Sequence, residues 1–327
     1  MPSNEELMIS AIYRRVYAIQ ASGRKTTYAD PVNGNESNDG MSPTTPKLLA
    51  QSAIDLAGIY GCTVLLPGVF SENIVVTQPN LWVIGATFDG PNKTSIAPAT
   101  GTPLTFNEGL CMAENMYLSS GDNHVLKATG PSHDFHLLSI SVPANKYGIW
   151  LNDADSAKLK SLYLDGGGLV NTIGVLFGAS TVSASIEDST ITNFGSGLGG
   201  GALNGYGIAY HGTSQRCRAT HNFIASCAYG QYHYTSSGAA AWHEMDQNEN
   251  YLNRLYDIYS PDAMGVSGIR CDGNFYGYAG WYGDHGIHTG IADFSVPAGD
   301  DASDPLYDFA PLVSPDAWRF IHEARNR

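Results

Sequence analysis

The sequence predicts an all-β chain wound as a parallel β-solenoid, and three observations carry that prediction. One short pattern recurs from Ala113 to His288: an Asn or Ser, two or three strand-forming apolar residues, then small or polar ones. It reads Asn115-Met116-Tyr117-Leu118, Ser139-Ile140-Ser141-Val142, Ser161-Leu162-Tyr163-Leu164, Ser189-Thr190-Ile191, Asn222-Phe223-Ile224, Asn250-Tyr251-Leu252 and Asn274-Phe275-Tyr276. These landmarks lie 24, 22, 28, 33, 28 and 24 residues apart by subtraction of their numbers. A second phrase sits between the copies: Tyr147-Gly148-Ile149-Trp150, Ile173-Gly174-Val175-Leu176, Tyr206-Gly207-Ile208-Ala209 and Tyr229-Gly230-Gln231-Tyr232. Periods in the twenties, short alternating strands and no helical pattern describe stacked coils.

The first element is a helix over residues 1 to about 21. Ser3-Asn4-Glu5-Glu6 supplies an acid-rich start, which suits the positive end of a helix. Leu7, Met8, Ala11, Ile12, Val16 and Ile19 then form one apolar stripe, Arg14 and Arg15 lie off it, and Gly23 ends it. Residues 1–25 are either an anchor, docking into a larger assembly or pairing with copies of itself, or a helix packed back on its own domain. Residues 28–43 form a loop dense in Asn, Asp, Gly and Pro. Its side-chain oxygens are of the kind calcium takes, but their spacing is not that of an EF-hand, and Asx turns alone explain them. A second helix follows over 46–57, with Pro46 in its first turn and Leu48, Leu49, Ser52, Ala53, Leu56 and Ala57 as its buried face. Strands are expected at 62–66, 74–76 and 81–85, a turn at Pro67-Gly68, and a loop over 91–105.

The succession Asp30-Pro31, Gly34, Asn38-Asp39-Gly40, Ser42-Pro43, helix 46–57, Thr63-Val64-Leu65-Leu66-Pro67-Gly68-Val69-Phe70-Ser71-Glu72-Asn73-Ile74 and Leu81-Trp82-Val83-Ile84-Gly85 resembles the opening of right-handed parallel β-helix proteins. These form the pectin-lyase-like superfamily of polysaccharide lyases, pectin esterases and phage tailspikes. The resemblance implies that helix 46–57 caps the open end of the solenoid, and that the Pro-Gly-x-aromatic turn with its nearby Glu starts the first full coil. A cap is also required physically, since an open first coil exposes apolar core and unpaired backbone. The chain then divides into an anchoring helix (1–25), a β-helix (26–295) and a C-terminal loop and short helix (296–327). In that last helix Ser314 is the N-cap and Pro315 the first residue.

The coils carry the candidate sites. Alternation in the second phrase turns Ile149 and Leu151 one way and Trp150 the other. The same reading places Trp150, Leu176, Ala209 and Tyr232 in one outward apolar stripe. Such a stripe serves subunit packing, commonly a homotrimer among phage relatives, or a glycan groove. The presence of Leu and Ala, which add nothing to sugar stacking, favours the subunit interface. Acid pairs that glycoside cleavage needs are Asp153 with Asp155, Glu187 with Asp188, and Glu244 with Asp246 and Glu249. Glu187, Glu244 and Asp246 are the catalytic candidates; if coils stack in register, Glu187 and Glu244 approach Arg216 or Arg218. The signature phrases of pectin esterases and the Arg-x-Pro-x-x-Arg element of pectate lyases are absent from the sequence. Histidines 211, 221, 233 and 243 are expected on different faces, and His285-Gly286-Ile287-His288 lacks the Glu and helix of a zinc protease site.

A formal net charge of -14 on 327 residues disfavours binding to nucleic acid. No run of 18 apolar residues indicates a membrane span, and no basic-then-apolar leader indicates export. Five cysteines without a CxxC pair read as buried free thiols, which fits assembly in a reducing cytoplasm. Taken with the resemblance, the expected role is a trimeric phage virion appendage, assembled in the host cytoplasm. It would meet tail or capsid proteins through its N-terminus and bind host surface polysaccharide, with or without cleaving it. A capsid cement protein and a free polysaccharide lyase or glycoside hydrolase are the alternatives. No metal or cofactor is required, calcium in the 28–43 loop being the one candidate.

Overall fold

A computed structural model describes residues 23–87, 93–195, 205–211, 213–233, 243–251, 253, 256–263, 275–276 and 281–284. The anchor helix with Leu7, Met8, Ile12, Val16 and Ile19, most of the glycine loop 195–205, His285 and His288, and the whole of 296–327 lie outside the described residues. Among the described residues no helix is long and apolar enough to cross a membrane.

Every strand pairing is parallel and joins one coil to the next, so the chain winds around a three-sided column. The first face runs through Thr26–Ala29, Cys62–Leu65, Trp82–Gly85, the leading halves of Met112–Ser119 and Asp134–Ser141, then Lys158–Lys160, Ser185–Glu187, Arg218–Thr220 and Glu244–Asp246. The second face takes Gly68–Phe70, Thr94–Ile96, the trailing halves of the same two long strands, Tyr163–Asp165, Thr190–Thr192, Phe223–Ala225, Glu249–Tyr251 and Phe275–Tyr276. The third face is a nine-stranded sheet from Ile74–Val76 to Trp281–Asp284. Strands at Thr94–Ile96 and Leu104–Phe106 therefore replace the loop expected over 91–105; at three residues each they are too short to show alternation.

Inward residues alternate with outward ones and stack by register. Along the first face the inner ladder is Val83, Ala113, Phe135, Leu159, Ile186, Ala219 and Met245, all buried in one continuous core. Burying such a Leu, Ile or Phe stabilises by about 1.5–3 kcal/mol, and the stack extends the effect from coil to coil. From Met112–Ser119 onward, each passage from first to second face is made by one residue in left-handed backbone: Asn115, Leu137, Ser161, Asp188, His221 and Gln247, with φ between 50° and 60°. The next residue turns into the core. In the later coils it is polar, and an internal ladder satisfies it. The Ser189 N–H donates to Asn222 Oδ1 at 3.1 Å, and Asn222 Nδ2 donates to Ile186 O at 3.1 Å and to Asn248 Oδ1 at 3.0 Å.

The capping helix spans Ala50–Ala57 and not 46–57. Lys47 is held extended against the first strand, its N–H donating to Tyr28 O and its O accepting from Asp30 N, so Pro46, Leu48 and Leu49 precede the helix. The buried face is accordingly Ala50, Ala53, Ile54 and Ala57, with Leu48 and Leu49 exposed. Glu72, the acid of the Pro-Gly-x-aromatic turn, closes the helix start: its two oxygens accept from Ala50 N at 2.7 Å and Gln51 N at 3.0 Å.

Candidate functional site

Two outward columns run up the third face. In one, Lys127, Trp150, Leu176, Ala209 and Tyr232 lie in register, one per coil. In the other, Tyr147, Ile173, Tyr206 and Tyr229 do the same. Rungs of such a ladder are about 4.8 Å apart. The structure thus brings Trp150, Leu176 and Tyr232 onto one stripe and adds a second, largely aromatic column beside it. Ile173, Leu176 and Ala209 form an apolar cluster outside the core, with Tyr147, Trp150 and Tyr206 packed against it. All three aliphatic residues are buried, while Tyr147, Trp150, Tyr206, Tyr229 and Tyr232 are half-buried.

The rings order one another into two groups. At the upper coils Tyr206 lies 4.4 Å from Tyr232 and 5.3 Å from Tyr229, and Tyr229 and Tyr232 meet edge to face. At the lower coils the His124 ring stacks on Tyr147 at 4.3 Å and meets Trp150 at 5.2 Å. The Lys127 ammonium sits 4.8 Å from the Trp150 ring centre. His124 Nδ1 accepts the Tyr147 N–H at 3.1 Å. Burial, then the charges of Lys146 and Lys127, push its pKa down to about 4, so the ring is neutral at pH 7. Pre-ordered aromatic faces beside ammonium groups can stack on the apolar faces of pyranose rings and hold their oxygens or anionic substituents.

The candidate acids lie elsewhere, on the outer side of the first face. Glu187 and Asp246 share one column, with Thr220 on the rung between them. Glu244 stands in the neighbouring column opposite Arg218, whose Nε lies 2.6 Å from Glu244 Oε2. The third face and these acids therefore occupy different sides of the column, and the structure does not bring the aromatic stripe to the acid set. Asp188 pairs with Lys160 at 3.2 Å, and Asp155 Oδ1 accepts the Val182 N–H.

Lower on that face is a cluster the sequence reading missed. His136 Nε2 lies 3.1 Å from Glu114 Oε2, and its Nδ1 lies 3.3 Å from Asp134 Oδ1. Hydrogen bonding to Asp134, then to Glu114, raises the His136 pKa to about 9 against the opposing effect of burial. Glu114 and His136 are 22 residues apart and pair on adjacent coils, whereas the landmarks Asn115 and Ser139 of the same coils lie 24 apart, so the rhythm of the sequence did not bring them together. His233, at the end of a third-face strand, and His243, just before a first-face strand, both turn inward and are buried with ring centres 5.3 Å apart. Burial, then His233, holds His243 at about 3. In the 28–43 loop Asp30 Oδ1 accepts from Val32 N and Asn33 N, and Asp39 Oδ1 from Met41 N and Thr45 Oγ1. Cys62, Cys111, Cys217 and Cys227 are buried, and burial lifts Cys111 to about 11 and Cys217 to about 12.

No protein-family model matches the chain, and no curated protein matches it. Solved structures do match. Pectate lyase Pel9A aligns with a TM-score of 0.57 at 13% identity, over 88% of this chain and 85% of the lyase. An alginate lyase from Paenibacillus sp. str. FPU-7 aligns at 0.53 and 15%, over 79% of this chain and 98% of its own. The Dettilon tailspike protein aligns at 0.53 and 15%, over 78% of this chain but 55% of the tailspike. At such identities the likeness is one of fold alone: the chain is a parallel β-helix, as these structures are.

Proposed function

We propose that this protein is a polysaccharide-binding β-helix, of the tailspike kind carried on phage virions, and that the third face is its binding surface. The observation that carries the reading is the paired outward column of aromatic rings at Tyr147, Trp150, Tyr206, Tyr229 and Tyr232. In sequence, Leu176 and Ala209 spoke for a subunit interface. Both are buried beneath and between the rings, so the accessible part of the stripe is aromatic. The fold shared with a tailspike and with two polysaccharide lyases supports the same reading.

Affinity electrophoresis through gels containing purified capsular or O-chain polysaccharides, with alginate and polygalacturonate in the panel, tests it. At least one polysaccharide should retard the wild type. Trp150→Ala or Tyr232→Ala should weaken that binding about tenfold each, as expected for a lost stacking contact of about 1.4 kcal/mol. Binding unchanged in both variants would sink the assignment of this face. If the stripe were a subunit contact, the same substitutions would lower the sedimentation coefficient and leave retardation intact.

A further inference from the structure

We propose that the outer side of the first face, at its first four rungs, is the docking surface for residues 1–22 of the same chain. By register Cys62, Trp82 and Met112 share one outward column, and Tyr28, Val64 and Ile84 the other. The residues between them, Thr63, Val83 and Ala113, point inward. Further up the same columns Asp134, Lys158, Lys160 and Arg218 are exposed to solvent. At the start of the column the outward positions are apolar instead, and Tyr28, Cys62, Val64, Ile84 and Met112 are each no more than 5% exposed. Leu66 and Trp82 pack against this second apolar cluster, which is separate from the core.

The chain itself supplies the occupant. The described backbone begins on this patch. Arg24 lies over the Trp82 ring at 3.9 Å and donates to Asn80 O at 2.8 Å, and Thr26 is the rung beside Cys62. Gly23 is in left-handed backbone at φ 81°, the conformation that ends a helix and turns the chain. The segment before it carries the apolar stripe Leu7, Met8, Ala11, Ile12, Val16 and Ile19. As a helix that stripe is about 18 Å long, against about 14 Å for four rungs.

Cys62 reports on the contact, because its thiol belongs to the patch while Cys111 and Cys217 belong to the core. In the intact protein Cys62, identified by subtracting a Cys62→Ser variant, should react with a thiol reagent slowly. Ile12→Asp or Val16→Asp should raise its rate about tenfold or more and leave Cys111 and Cys217 protected. An unchanged rate in both variants would overturn the proposal. So would a wild-type rate that rises on dilution, which would assign the cover to a second copy. Should either variant unfold, exposing all the thiols, hydrogen exchange on the wild type decides: protected amides over residues 7–19 support docking, and unprotected ones refute it. Neither measurement depends on the glycan-binding reading.

Discussion

His136 sits between Asp134 and Glu114 on an outward column, with Lys160 on the next rung. The imidazolium is the form these carboxylates favour, and its pKa is raised to about 9 from an ordinary 6.5. A group whose pKa rises on folding stabilises fully below its unfolded value and loses that contribution as pH climbs through the folded one. For His136 the loss falls between about 6.5 and 9. His243 works in the opposite sense. It is held neutral at about 3, so its contribution is complete above 6.5 and is lost as pH falls toward 3. The test is the gap in melting temperature between wild type and His136→Gln, which should be widest near pH 6 and close by about pH 9.5. A gap that does not change with pH would mean that the two carboxylates do not hold the proton.

The coil is the element that repeats, and its tightest demand is for glycine in the second phrase. A Cβ on Gly148, Gly174 or Gly207 would stand 2.6, 2.5 or 2.6 Å from the carbonyl oxygen of the corresponding glycine one coil on. It would also meet core side chains, Ile191 Cγ2 at 3.0 Å in the case of Gly174. The glycine therefore lets successive coils close at the entry to the third face, and its recurrence in the sequence is a packing requirement. Gly174→Ala should cost about 1–3 kcal/mol by overpacking, read as a lower urea midpoint with an unchanged slope. An unaffected midpoint would show that the coils can separate there without cost. The second phrase was legible because glycine and alternation mark it directly, and the outward turn of Trp150, Leu176 and Tyr232 followed from it. The first phrase was legible only in rhythm. Its Asn and Ser landmarks mix three positions: Asn115 and Ser161 at the left-handed corner, Ser189 and Asn222 one residue later, Ser139 and Asn250 within strands. The true corners also use Leu137, His221 and Gln247, types that carry no turn signal. Without the corners the register was out of reach, and with it the meeting of Glu114 with His136 and of Lys127 with Trp150. Separating the acids from the aromatic stripe needed the three faces, which no local pattern encodes.

At the scale of the molecule one core runs unbroken from Ala29 to Ile258, and every layer of it touches only the layers above and below. Phe135 is a central block of that column, tilted against Phe106 at 5.1 Å and stacked on His133 at 5.3 Å. Its loss would leave a cavity with backbone ladders on both sides, so collapse is limited and Phe135→Ala should cost about 3–5 kcal/mol. In a globular domain such a loss lowers the stability of the whole fold together. In a column with nearest-neighbour coupling it should fall where the layer is. Hydrogen exchange should therefore quicken in the strands Met112–Ser119, Asp134–Ser141 and Lys158–Lys160. It should stay nearly unchanged in Thr26–Ala29 and Cys62–Leu65, which the capping helix covers, and in Tyr206–Tyr210. Uniform acceleration through all these strands would mean that the coils unfold as one unit. A local response would instead mean that the aromatic face can lose order at one end and keep its rings ordered at the other. The two ring groups, His124 with Tyr147 and Trp150 below and Tyr206 with Tyr229 and Tyr232 above, would then be separately stable halves of one surface.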